Sequence, residues 1–109
     1  MLFRSVLGEK LWRLARRHQV ICVTHLPQVA AYGDAHYSVR KVVESGRTMT
    51  RVDRLEAEAR IPELAVMLGG LQAGQAAHRS AAELLERAEA WKRTGQPSAE
   101  PGDEELVSA

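Results

Sequence analysis

Apolar positions along residues 5–18 recur at helical spacing. Leu7, Leu11, Leu14 and His18 fall on one face, Ala15 widens it, and Glu9, Lys10, Arg13 and Arg17 lie outside it. The pattern predicts an amphipathic helix over 5–18, weakened at Gly8 by roughly 1 kcal/mol relative to alanine. From Gln19 to Thr24 the period changes. Val20-Ile21-Cys22-Val23 is an unbroken apolar, largely β-branched run. An unbroken run suits a strand covered on both faces, as in a parallel sheet, so residues 20–24 are predicted to form one. Helix then buried strand is half of a βαβ unit, and the strand that should precede the helix is missing.

Pro27 can open a helix, because its fixed φ and absent N–H are tolerated at the first helical position, and it biases Leu26 toward an extended conformation. A short helix from Pro27 to about Tyr32 is expected to stop at Gly33. Residues 35–44 and 47–55 flank Ser45-Gly46. Tyr37, Val39 and Val43 share a face, and Thr48, Met49, Thr50 and Val52 have high strand propensity. This predicts a β-hairpin with a glycine-containing turn. Met49 and Val52 fall on opposite faces unless a bulge intervenes. Helix returns over Pro62–Leu68 and ends at Gly69-Gly70. A last helix over Gln75–Arg93 carries Ala81, Leu84, Leu85, Ala88 and Trp91 on its apolar stripe, with Glu83, Glu86, Glu89 and Lys92 outside. From residue 94 the chain has Pro97, Pro101, Gly102 and the run Asp103-Glu104-Glu105, with little to bury, and reads as a flexible acidic tail.

With 109 residues, the chain has room for one small core rather than two. No apolar run is long enough to span a bilayer, and Met1-Leu2-Phe3 meets a charge at Arg4 before a signal-peptide core can develop. Cys22 is the only cysteine, which excludes an internal disulfide and a cysteine-based zinc site; its apolar surroundings suggest a small buried hydrophobe. These features suit a reducing cytoplasm. The net charge of +1 hides an asymmetry: residues 1–54 hold ten Lys/Arg against four Asp/Glu, residues 55–109 five against ten. A basic half can serve phosphates, but here the cations are scattered over several elements. The few aromatics do not interleave with them as in single-strand binders. A solvated surface is the better reading.

Thr24-His25-Leu26-Pro27-Gln28 lies at the carboxyl end of the predicted buried strand, the edge where open α/β sheets bind ligands. His25 could donate a hydrogen bond to a phosphate oxygen, and Gln28 offers an amide nearby. On pattern alone, a lone histidine at a strand end is more often a loop or packing residue than a ligand. His18, His36 and His78 show no metal-ligand spacing. There is no G-x-x-x-x-G-K-[ST] loop and no G-x-S-x-G elbow.

The run from Val23 to Asp34, VTHLPQVAAYGD, resembles the switch-histidine segment of ABC-type ATPases in the form found in the RecN family. Upstream, the segment from Gly8 to Ala15 is similar to the helix that precedes it. Arg51–Leu55, Arg60–Gly70 and the helix containing Ala81-Ala82-Glu83-Leu84-Leu85 resemble the family's hairpin arm, closing helix and C-terminus, in the same order. Pro62 departs from the family pattern, and Met1–Ser5 does not resemble the D-loop expected there. The likeness implies an α/β fold: residues 1–93 as part of an ABC/SMC-type P-loop ATPase head, ordered helix, strand, short helix, β-hairpin and two helices. It implies that His25 is the catalytic switch histidine at the γ-phosphate, with Thr24 and Gln28 shaping the nucleotide-binding loop. It also implies ATP and Mg²⁺ in the intact parent, the remainder of the head and a second head as partners, and DNA reached through the parent in double-strand break repair and recombination. Walker A, signature, Walker B and D-loop segments are all missing, so no cofactor and no hydrolysis are expected of this chain alone. A truncated or misassembled reading frame is expected rather than a natural small protein, marginal or self-associating in isolation. The alternative is a stand-alone α/β binding module in which His25 is structural.

Overall fold

The computed structural model describes residues 2–94. Helix α1 spans Leu2–Leu14 and is followed by hydrogen-bonded turns through His18. Helix α2 is a single turn, Pro27–Ala30, with Pro27 in its first turn and an extended Leu26 before it. Strands β1 (His36–Glu44) and β2 (Arg47–Leu55) form a two-stranded antiparallel sheet. A 3₁₀ turn over Ala57–Ala59 leads into α3 (Arg60–Gly69), and α4 (Gln75–Thr94) closes the fold.

The hairpin follows its turn chemistry. Ser45 and Gly46 both adopt positive φ, 51° and 75°, as a two-residue loop matching strand twist requires. The pairing runs unbroken from Glu44↔Arg47 to His36↔Leu55, so no bulge brings Met49 and Val52 to one face. The face bearing Tyr37, Val39, Val43 and Val52 is uncovered. The opposite face meets α3, where the buried Ser38 hydroxyl donates to Glu63 Oε1 at 3.1 Å.

The core lies between α3 and α4 and is capped by the end of the α2 segment. Leu64, Ala65, Ala81 and Ala88 are essentially inaccessible, and Ala31, Tyr32 and Trp91 complete the buried cluster. Alanines at the crossing let the two helix backbones approach closely. The α4 stripe is the one the sequence predicts, except that Lys92, expected outside it, is largely buried because its ammonium binds the Gly33 carbonyl and Asp34. Pro62 does not shorten α3, which begins two residues earlier; it stands in the first turn, where an N–H has no helical partner to lose. Helix α4 includes Thr94, so the predicted tail begins no earlier than residue 95; residues 95–109 lie outside the described residues.

Two expectations are corrected. Residues 20–24 form no strand: the two strands among the described residues pair only with each other, leaving no ladder for this run to join. Its side chains are consequently bare, with Ile21 84% and Val23 98% exposed, and Cys22 is exposed rather than buried. The parallel arrangement inferred from the unbroken run is thus absent from this antiparallel sheet. Helix α1 also ends at Leu14 rather than His18 and packs a different face. Val6, Gly8 and Glu9 are buried with Trp12 half-buried, whereas Leu7 and Leu14 are exposed.

Tyr32 explains which side of α1 turns inward. Its ring lies so close to Gly8 that a Cβ there would overlap the aromatic carbons, and its hydroxyl donates to the buried Glu9 carboxylate at 3.5 Å. Ordinarily Gly→Ala inside a helix stabilises by roughly 1 kcal/mol. Here overpacking reverses the sign: Gly8→Ala should lower unfolding free energy by about 1–3 kcal/mol in denaturant titration. A gain in stability would show that α1 does not pack on Tyr32.

Candidate functional site

Residues 24–34 form a short anchored loop around α2. The Thr24 hydroxyl accepts the Leu26 N–H at 3.0 Å, a local turn that places His25 at its apex. The Leu26 carbonyl then accepts the N–H groups of Val29 and Ala30 at 3.1 and 3.0 Å, starting the single helical turn. Pro27, Gln28 and Val29 are buried, which pins the segment to the body of the fold.

The three residues implicated by sequence are close along the chain but differ in accessibility. His25 is exposed, Thr24 is half-buried with its hydroxyl engaged in the turn, and Gln28 is only 5% exposed. His25 is therefore the group of the three best able to meet an external ligand, whereas Gln28 lies inside the fold. Among the described residues, no three or more His, Cys, Asp or Glu side chains cluster as metal ligands would.

The anchoring comes from farther along the sequence. Arg60, its side chain 8% exposed, donates from Nη2 to the carbonyls of Ala30 at 3.0 Å and Ala31 at 3.4 Å. Lys92, 9% exposed, donates to the Gly33 carbonyl at 3.2 Å and to Asp34 Oδ1 at 3.0 Å. Asp34 also accepts the Trp12 indole N–H at 3.0 Å. Glu89 on α4 lies 3.9 Å from Arg60 of α3 and 3.5 Å from Lys92, joining the two cations. The rings of Trp12 and Tyr32 meet Trp91 edge to face at centroid distances of 5.4 and 5.7 Å, an arrangement worth about 0.5–1.5 kcal/mol per pair beyond area burial. Arg13 lies 5.5 Å from the Trp91 centroid, and Arg16 covers Trp12 at 4.9 Å.

These contacts set the local electrostatics. Partial burial of Asp34 pulls its carboxyl upward. Hydrogen bonds from Lys92 and Trp12, with the charges of Lys92 and Arg16, more than offset this and hold it below the usual 3.8. Burial lowers Arg60, opposed by the charges of Glu89 and Asp34, and a guanidinium stays protonated in such a setting. Periodicity does not reveal Arg60, Lys92, Asp34 or Trp12 as loop anchors, because Arg60 and Lys92 reach backbone carbonyls, Trp12 and Lys92 meet on Asp34, and the links cross up to 59 residues.

The chain matches no protein-family model. It is similar to the DNA repair protein RecN of Mycobacterium tuberculosis (strain H37Rv), 51% identical over 83 residues covering 76% of this chain and 14% of that protein. RecN of Xylella fastidiosa (strain Temecula1) is 46% identical over 82 residues, 75% of this chain and 15% of the relative. RecN of Bacillus subtilis (strain 168) is 39% identical over 91 residues, 84% and 16%. The chain therefore spans about one seventh of the length of the relatives it matches.

His36 lies beside this network at the start of β1. Burial lowers its imidazole below the ordinary 6.5, the Arg60 charge acts in the same direction, and Glu63 opposes them. The folded chain thus takes up this proton at lower pH than the unfolded chain does. The contribution to stability is fully present above 6.5 and is lost as pH falls through that value toward the folded one. Thermal midpoints should drop across that window, and His36→Gln should flatten the drop; an identical pH profile in the variant would contradict the assignment.

Proposed function

We propose that this chain, a sequence of RecN type, forms the C-terminal part of an ABC/SMC-type ATPase head and contributes its switch-histidine loop. The single observation that carries this reading is His25: an exposed imidazole on a loop tied down at both ends, within the stretch that resembles RecN. Its role is to donate a hydrogen bond to a γ-phosphate oxygen and so help place the attacking water. Thr24 shapes the turn, and Gln28 secures it from below. ATP with Mg²⁺ supplies the transferable phosphoryl group and the charge neutralisation when bound to the parent head. Among the described residues no three or more His, Cys, Asp or Glu side chains cluster for the ion, and the metal is assigned to the remainder of the head.

Phosphoryl transfer depends on positioning and electrostatic stabilisation spread over several segments. One histidine loop supplies a fraction of these, and hydrolysis belongs to the assembled parent, a dimer of heads acting in DNA double-strand break repair and recombination. The uncovered residues Leu7, Leu14, Ile21 and Val23 support the same reading. They form the apolar surface that a neighbouring part of a larger head would cover.

The test replaces the matching segment of the Mycobacterium tuberculosis RecN with residues 8–94 of this chain. His25→Ala in that chimera should cut ATP turnover by about 10-fold or more, as loss of one positioned transition-state contact does, while nucleotide affinity changes much less. Turnover unchanged by His25→Ala would make the histidine structural. The 109-residue chain alone should show no ATP hydrolysis above a buffer blank, and robust hydrolysis by it would overturn the reading.

A further inference from the structure

Arg60 is a buried cation that the proposed chemistry does not use. It stands at the first position of α3, its side chain 8% exposed, with Ala30 and Ala31 carbonyls at 3.0 and 3.4 Å and the Glu89 carboxylate at 3.9 Å. Two of these partners lie at the C-terminal end of α2, whose first residue comes two positions after His25. A helix of one turn cannot satisfy its own terminal carbonyls. Here the Ala30 carbonyl accepts the Gly33 N–H at 3.0 Å, and a guanidinium from 29–30 residues downstream adds a second donor to it and reaches the Ala31 carbonyl, while Glu89 on α4 supplies the opposite charge.

We infer that Arg60 is a positioning residue for the His25 loop: by bridging the α2 carbonyls to Glu89, it fixes the direction in which α2 presents His25. The inference rests on the functional reading of His25 given above and adds the device that holds it. Guanidinium geometry matters. Two carbonyls of successive residues are reached from one Nη2, while Nη1 lies 3.9 Å from Glu89; a lysine ammonium keeps the charge but not this spread of donors. Because Arg60 opens α3 and Glu89 lies on α4, a displacement of either helix reaches the His25 loop through this bridge.

Two measurements test it. Amide hydrogen exchange on the 109-residue chain reads positioning without reference to ATP. Arg60→Met should speed exchange over residues 28–33 by about tenfold while the centre of α4 stays protected, with Arg60→Lys intermediate. If Arg60→Met abolishes α4 protection as well, Arg60→Lys gives the decisive reading. Unchanged exchange over 28–33 in the lysine variant then overturns the inference. The second is a double-mutant cycle in the RecN chimera. Arg60→Met should lower kcat by about tenfold with KM within about twofold, Arg60→Lys should restore part of it, and Arg60→Met should cost less than about twofold once His25 is alanine. Full, independent losses in both backgrounds would show that Arg60 does not act through His25. If His25→Ala leaves turnover unchanged while exchange over 28–33 still accelerates, the functional reading fails and the positioning stands.

Discussion

Carbonyl groups that leave a one-turn helix must find donors, and in this fold side chains far along the sequence add to the local backbone N–H groups that supply them. Arg60 and Lys92 reach the carbonyls of Ala30, Ala31 and Gly33, and Asp34 binds Lys92 and Trp12 together. The Ala30 carbonyl also accepts the Gly33 N–H; leaving a carbonyl such as that of Ala31 or Gly33 buried and unsatisfied would cost about 1–3 kcal/mol, comparable to the gain from a well-packed side chain. The arrangement therefore couples the loop to the helix pair: α3 and α4 cannot pack on Tyr32 and Trp91 without also fixing the residues that follow His25. Buried cations are tolerated because they are shared with Glu89 and Asp34 rather than isolated.

A second constraint is visible on the outside. Ile21 and Val23 are nearly fully exposed, Leu7 and Leu14 are partly bare, and one face of the hairpin presents Tyr37, Val39, Val43 and Val52 to solvent. A two-stranded sheet has two open edges and gains independent stability only from what packs against it. For this hairpin the support is α3, acting on a single face. The helix pair with Ala31 and Tyr32 thus forms the buried core, whereas α1, residues 19–24 and the outer hairpin face leave apolar area uncovered. The match to about one seventh of the RecN length fits that division, because most of the related chain lies beyond what is present here.

The helix pair and the hairpin were legible in the sequence because local chemistry determines them. Ala81, Leu84, Leu85, Ala88 and Trp91 repeat at helical spacing, with Ala81, Ala88 and Trp91 buried and the two leucines packed partly buried against them, and Ser45-Gly46 supplies the two positive-φ residues of the hairpin turn. The run at 20–24 misled for a physical reason. Its apolar residues signal a site that would be covered on both faces, but strand structure depends on a pairing partner that the described residues do not contain. The face of α1 was misread similarly, since Leu7-Leu11-Leu14 is the regular stripe while the contact is set by Gly8 admitting Tyr32. His25 was legible as a candidate through its motif; the anchors Arg60 and Lys92 were not, because a charged residue gives no periodic signal of burial. No described helix is long and apolar enough to cross a membrane, as the sequence also indicated.

Complementation tests the central claim most directly. RecN from Mycobacterium tuberculosis, lacking the segment to which this chain is similar, would be assayed for steady-state ATP turnover as the 109-residue chain is titrated in. The account predicts a deletion protein with little turnover and a saturable recovery on adding the chain. Full turnover in the deletion protein, or saturable binding of the chain with no recovery, would contradict it.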